Sequence, residues 1–447
     1  MSFKNDITNV ADCEHVLSSG VKIPVKVFMN DKLLMDSEEL LWQEVVNIAN
    51  FPGVTNIVVT PDAHASGNGI PVGVVAETDG SIVIPCAAGY DINCGMAAIK
   101  THLNGENIHK DKELIRNWIN LVMSNVSVGL GGKGKISTPD VFEDIISQGA
   151  LSNKKFHRYQ NQLERINLPV DMGTIDIPQK AMRGMNQIGT LGGGNHFIEL
   201  DVDEKNTVWA LVHTGSRGFG HGIASYFFRA GAEEFKKKNI PLHNMEQVYF
   251  DMDSDLGKSY LNHMNAAANF AIVNRLTICL HVMEAINDVW DTEATILYDI
   301  SHNLVQSENG KLIHRKGATR ALPGDHPLLK GTIWDESGHP ILIPGSMGTS
   351  SAILFAKDSN KSLYSINHGC GRVMGRKAAK RDLASMQKDI DQDMNNKNIL
   401  INTWNTPLDE CSLVYKNIDD VLSSVSGANL AEVAHTLTPK AVIKGND

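Results

Sequence analysis

The chain has no CxxC pair, no Walker A loop and no apolar run near the roughly 20 residues that span a bilayer. Each absence removes a class. Six cysteines (Cys13, Cys86, Cys94, Cys279, Cys370, Cys411) scattered through 447 residues form neither a disulfide framework nor a zinc ribbon, so the thiols are expected to be reduced. Gly129-Leu-Gly-Gly-Lys-Gly134 lacks phosphate-loop spacing, and the Lys-centred signature of the familiar nucleotidyl-transferring ligases is missing too. Any bound nucleotide must be held by another arrangement. Positive charge is also short: 41 Lys and Arg against 51 Asp and Glu give a formal net charge of -10, so there is no global footprint for a polyanion. A nucleic-acid substrate then has to be held locally, in a basic cleft or through divalent cations. The first thirty residues are polar and mixed in charge, and the chain reads as cytoplasmic with no membrane partner.

What remains is ordinary globular material, 42% hydrophobic and 21% charged, enough to bury a large core without staples. Residues 22 to 28 alternate like a half-buried strand, and 37 to 50 carry helical spacing. Short apolar runs between Val54 and Lys100, broken by Gly, Pro, Asn and Asp, predict strands joined by tight loops. Residues 105 to 125 predict an amphipathic helix, 129 to 134 nothing regular, and 222 to 295 mostly helix. The polar stretch from about 136 to 188 is expected to be a helical insertion or lid. The fold class expected is α/β (α+β), and the sequence contains no repeat of 20 to 50 residues.

Chemistry concentrates in a few segments. Gly89-Tyr-Asp-Ile-Asn-Cys-Gly95 sets a carboxylate and a thiol three apart between glycines, as metal ligands or as a turn-forming Asp beside a buried Cys. Gly189-Thr-Leu-Gly-Gly-Gly-Asn-His-Phe-Ile-Glu199 places Asn195 and His196 after a glycine run that can bring backbone N–H groups to a phosphate. His213 closes the apolar run Trp209-Ala-Leu-Val212, and His302 closes the run from Ala294 to Ile300. Any one of these histidines, taken singly, is more often structural. Three of them at the ends of apolar runs, beside one Asp/Cys pair, make a site for one or two divalent ions, and ligand softness alone favours zinc. Arg315-Lys-Gly-Ala-Thr-Arg320 and Asn367-His-Gly-Cys-Gly-Arg372 concentrate cations among glycines, a pattern suited to phosphate. His368 in the latter is a candidate nucleophile, because an imidazole can attack phosphorus.

In this order, Pro61-Asp-Ala-His64, Gly89-Tyr-Asp-Ile-Asn-Cys-Gly95, Gly193-Gly-Asn-His196, His213-Thr-Gly-Ser-Arg217, Ser301-His-Asn303, Pro344-Gly-Ser-Met-Gly348 and His368-Gly-Cys-Gly-Arg372 resemble the RtcB family of RNA-splicing ligases, from about residue 50 to Lys444. Ala63, Ala65-Ser66 and Cys370 depart from the family's commonest residues, as in a divergent bacterial branch.

The resemblance implies a single elaborate domain over 1–447, with mixed sheets around a metal and nucleotide cleft. It implies a GTP- and manganese-dependent joining of an RNA 3′-phosphate or 2′,3′-cyclic phosphate to a 5′-hydroxyl, in tRNA splicing or RNA repair. By the same likeness Cys94 bridges two Mn²⁺ ions, one also held by His213 and His302 and the other by Asp91 and His196, which replaces the lean to zinc. His368 becomes guanylylated. Asn195, Glu199, Asn303, Ser346, Gly369, Gly371, Tyr415 and Lys444 hold the nucleotide, and Arg217, Arg320 and Arg372 are candidates for phosphate contacts. An archease-type activator is a possible partner. The rival readings are a metal-dependent phosphoesterase acting on cyclic phosphate ends, which needs the Asp/Cys/His cluster but not His368, Tyr415 or Lys444, and a non-catalytic RNA-binding protein.

Overall fold

The computed structural model describes residues 3–67, 69–109, 111–135 and 138–445. Two mixed sheets organise it. Strands β1 (Ile7–Ala11), β2 (Glu14–Leu17), β3 (Val25–Phe28), β4 (Val54–His64) and β5 (Val72–Thr78) begin the first, with helix α1 (Glu39–Ala49) laid on β4. Strands β6 (Gly95–Asn104), β7 (Phe197–Asp203), β8 (Thr207–Thr214) and β9 (Ala294–Ser301) form half of the second. Strands β10 (Asn303–Glu308) and β11 (Lys311–Lys316) return to the first, while β12 (Pro340–Ile343), β13 (Ser351–Ala356) and β14 (Ala431–Lys444) complete the second. The first sheet runs β1-β2-β3-β4-β5-β11-β10, and the second runs β9-β6-β8-β7-β14-β13-β12 with Leu400–Ile401 paired to β14.

Local chemistry explains the elements. In α1 the residues Leu41, Trp42, Val45, Val46, Ile48 and Ala49 recur at helical spacing and are all buried. The helix expected over 105–125 is two, Gly105–His109 and α2 (Lys112–Asn125), because Asp111 caps the second by accepting from the N–H groups of Glu113 and Leu114. In the 136–188 stretch, α3 (Pro139–Gln148) is followed by 3₁₀ segments at Gly149–Ser152 and Lys154–Gln162 and a single helical turn at Gln179–Met182; residues 136 and 137 lie outside the described residues. Helices α4 (Arg217–Lys237) and α5 (Asp255–Trp290) account for most of 222–295.

Helix α5 is the core of the helical layer. It packs on β6, β8 and β9 on one side and on α2, α3 and α4 on the other. It is long and apolar enough to cross a membrane, yet 89% of its most apolar stretch is buried inside the protein. Its small residues Ala266, Ala267, Ala268 and Ala271 admit that close packing.

Register decides where the reactive residues meet. Gly95 at the start of β6 pairs with Thr214 at the end of β8 and with Ser301 at the end of β9. Phe197 at the start of β7 pairs with His213 and with Lys444 at the end of β14. Cys94, His196, His213, His302 and Lys444 therefore collect at one edge of the second sheet. His302 sits between β9 of one sheet and β10 of the other, so that edge opens onto the first sheet.

Candidate active site

A cavity of about 290 Å³ lies at this edge. Cys94 and His213 are on its wall, and His196 stands behind Cys94, its Nε2 3.4 Å from the sulfur. The His213 Nε2 is 3.3 Å from the same sulfur and 3.3 Å from the His302 Nε2. The Asp91 Oδ2 is 2.8 Å from the His196 Nε2. All five expected ligands thus form one continuous cluster.

The chemistry of this donor set fits a cation. The His196 Nδ1 donates to the Leu191 carbonyl at 2.9 Å and the His213 Nδ1 to the Asn195 carbonyl at 3.1 Å. Those bonds put the lone pairs on Nε2, facing the sulfur, which is the usual way that outer hydrogen bonds orient metal-binding imidazoles. Converging buried lone pairs are costly unless a cation or added protons meet them. Burial and the neighbouring His196 and His368 hold His213 well below the ordinary histidine range, so it stays neutral. Burial, with the Asp91 charge, pushes the Cys94 thiol far up, so ionising that sulfur calls for a cation in the place of its proton. Burial also raises Asp91, but a proton on the His196 Nε2, standing where a cation would, donates to the carboxylate and with the charge of Arg217 outweighs burial and holds Asp91 well below the usual range. The Ser216 N–H at the start of α4 donates to the Asp91 Oδ1 at 2.8 Å, a helix N-terminus that favours negative charge.

His368 faces this cluster, its ring 4.5 Å from that of His302 between centroids. Its Nδ1 donates to the Asp62 Oδ2 at 2.7 Å, which leaves the lone pair on Nε2. Asp62 is fully buried at the end of β4, and the Thr60 hydroxyl donates to its other oxygen at 2.6 Å. Burial works to raise this carboxyl, but His368 and the Thr60 bond hold it below the usual range. The loop after His368 fits only with glycine at 371: φ is +71° there, and a Cβ would lie 1.9 Å from the Asp62 carbonyl oxygen.

The other expected contacts also reach the cavity. Asn195, Glu199, Asn303 and Ser346 are on its wall, as are Gly369, Gly371, Tyr415 and Lys444. Part of the Asn303 amide is spent on the scaffold, donating to the Asp91 carbonyl at 3.2 Å and accepting from the Gly317 N–H at 2.9 Å. Burial and the nearby Asp201 push the Glu199 carboxyl well up, against the pull of Ser351 and Lys444.

Sequence reading missed three residues that organise the wall. Asp62 and His64 lay in a quoted motif without a role, and the burial of Asp62 is invisible in a strand of mixed composition. Glu410 had no signal beyond its place in Asp409-Glu410, yet it accepts from the Lys444 Nζ at 2.9 Å and from the Tyr415 hydroxyl at 2.8 Å. Arg372 reaches the Tyr415 hydroxyl at 3.1 Å and lies over its ring at 5.0 Å. Two expected phosphate contacts are placed elsewhere. Arg217 is buried against the Gly129 carbonyl and the Thr190 hydroxyl, and Arg320 is buried against Glu164 at 3.2 Å. Neither lines the cavity.

A thiol, imidazoles and a carboxylate converge beside a carboxylate-bound histidine, in a cavity whose far wall carries Lys444, Tyr415 and Arg372. That combination is a candidate site for a metal ion beside an anionic group. The chain belongs to the family described as tRNA-splicing ligase RtcB, whose model matches residues 44–445. Among curated relatives it is similar to the tRNA-splicing ligase RtcB of Thermococcus kodakarensis, 33% identical with 95% of each chain covered. It is similarly related to that of Archaeoglobus fulgidus, 32% identical with 95% of each covered, and to that of Methanococcus maripaludis, 29% identical over 99% of this chain and 100% of the relative.

Proposed function

We propose that the chain is an RNA ligase that joins RNA ends bearing a 3′-phosphate or 2′,3′-cyclic phosphate to 5′-hydroxyl ends, in tRNA splicing or RNA repair, with GTP and two Mn²⁺ ions. The observation that carries the reading is the Asp62–His368 pair, seated against the cysteine–histidine cluster in the cavity that also contains Lys444 and Tyr415. Family membership supplies the class of reaction.

In this reading Asp62 keeps the proton on Nδ1 of His368, so Nε2 attacks the α-phosphorus of GTP and pyrophosphate leaves. The GMP group passes from His368 to an oxygen of the RNA 3′-phosphate, making an RNA-3′-pp-5′-G end. The 5′-hydroxyl of the second RNA then attacks the RNA phosphorus, its proton is lost and GMP departs. A cyclic phosphate is opened by water first. Cys94, His213, His302, Asp91 and His196 would hold the ions, which when bound would neutralise charge developing at phosphorus. Glu199, Glu410, Tyr415 and Lys444 orient the nucleotide base and Arg372 its phosphates, which fixes the attack geometry.

The test is joining of two synthetic RNAs, one ending in 3′-phosphate and the other beginning with 5′-hydroxyl, by wild type and His368→Ala. Joining by wild type alone, with cyclic-phosphate opening retained in the variant, supports the ligase. Cyclic-phosphate opening without joining in either protein replaces it by the phosphoesterase, and neither activity with RNA still bound replaces it by a non-catalytic RNA-binding protein.

A further inference from the structure

Helix α5 is apolar enough for a membrane, yet carries Asn269, Asn274 and Arg275 wholly buried. A buried charge is expensive unless every part of it is partnered. Arg275 is so partnered, and its partners share one property. Its Nε donates to the Asp299 Oδ2 at 2.6 Å and its Nη2 to the Asp299 Oδ1 at 2.9 Å, a two-pronged ion pair. Its Nη1 donates to the Asn93 carbonyl at 2.7 Å and to the Thr214 carbonyl at 3.2 Å. Asn93 immediately precedes Cys94, Thr214 immediately follows His213, and Asp299 lies three residues before His302. One guanidinium thus fastens the three strand ends that carry three of the candidate metal ligands.

We propose that Arg275 is a positioning residue that sets the geometry of Cys94, His213 and His302 from beneath; this rests on the metal reading of that cluster. Two neighbours support it. Gly95 leaves the room the guanidinium needs, since a Cβ there would lie 3.0 Å from the Arg275 Cζ and 2.4 Å from the Ile300 carbonyl oxygen. Asn274 accepts from the Gly189 N–H at 2.8 Å and donates to the carbonyls of Thr190 and Gly215, holding the loop whose Leu191 carbonyl orients His196. The need is greatest for His302. His196 and His213 are oriented by their own Nδ1 bonds, whereas the His302 Nδ1 has no hydrogen-bond partner among the described residues, so its direction depends on how its backbone is held. A lysine can hold Asp299 but cannot present the planar fork that reaches two carbonyls at the same time.

The test uses full-length protein titrated with Co²⁺, read by the thiolate-to-cobalt charge-transfer absorption, and with Mn²⁺, read by the resonance of the free ion. Arg275→Lys is expected to remain folded, to lose about 10- to 100-fold in affinity for either ion, the scale seen when groups behind metal ligands are changed, and to shift the charge-transfer band. Val425→Ala, a core truncation outside the site, is expected to lower the melting temperature and leave both ion readouts alone. Wild-type affinity and an unchanged band in Arg275→Lys overturn the inference. If Arg275→Lys fails to fold, Arg275→Met with Asp299→Leu removes both charges together. The same loss of affinity then supports the role, and wild-type affinity overturns it. Absence of the band in wild type, as in Cys94→Ala, marks failure of the metal reading itself and takes the inference with it.

Discussion

Replacing Asp62 by Asn changes almost no volume and one proton. Asp62 has no exposed surface, and the Thr60 hydroxyl fixes one oxygen at 2.6 Å, so the amide nitrogen takes the position that faces the His368 Nδ1 at 2.7 Å. An amide N–H there donates where the carboxylate accepted. The imidazole must answer with a lone pair on Nδ1 and its proton on Nε2, which removes the nucleophile. Loss of a hydrogen bond to a charged group costs about 1.5–3 kcal/mol, or roughly 10- to 150-fold in rate. The reversed tautomer of a catalytic histidine in another enzyme class costs about 10⁴. The expected fall in the rate of GMP transfer onto His368 therefore lies between about 10 and 10⁴, with metal affinity preserved. Single-turnover transfer from GTP labelled at the α-phosphate measures it. A rate within threefold of wild type would refute the role given to Asp62.

Other perturbations have equally definite outcomes. Lys444→Met strands Glu410, which keeps Tyr415, Arg372 and Arg376 but loses its closest cation; Kd for GTP is expected to rise about 10- to 100-fold, at about 1.5–3 kcal/mol for a charged hydrogen bond, and a GTP titration unchanged from wild type contradicts this. Adding Mn²⁺ at about 100 times its dissociation constant should stabilise the protein by about 2.7 kcal/mol, the shift should vanish with chelator, and Cys94→Ala should show little of it by thermal unfolding. Burial raises the Glu164 carboxyl, but the charges of Arg320 and Arg165 and the bonds from Ser301 and Gln306 more than offset this and hold it at about 2. A carboxyl lowered on folding adds stability above its unfolded value of 4.5, and that contribution is lost as pH falls towards 2. Wild type minus Glu164→Gln should therefore shrink by on the order of 3 kcal/mol between pH 5 and 2, measured by denaturant unfolding, and a flat difference disproves it.

Much of the site was legible because its residues sit where apolar runs stop. His213 and His302 each close a strand, Cys94 and His196 each precede one, and antiparallel register brings such ends to one edge. What sequence could not show was burial and partner. Asp62 reads as one more polar residue in β4 until its strand is packed against the loop of His368. Arg217 and Arg320 look like phosphate contacts among glycines, but both are buried, Arg217 against the Gly129 carbonyl and the Thr190 hydroxyl and Arg320 beside Glu164. Arg275 was hidden differently: in an Ala- and Asn-rich helix it reads as a packing segment, and only the tertiary structure reveals three strand ends beneath it. Residues 7–17, short and mostly exposed in their first strand, lack the alternation that would have announced β1 and β2.

The central claim is that His368 carries GMP. Purified protein with Mn²⁺ and GTP labelled at the α-phosphate, separated under denaturing conditions, should retain label that is lost in acid, survives alkali and is absent from His368→Ala. Unlabelled wild-type protein with metal bound, or label that persists in His368→Ala, would contradict the account.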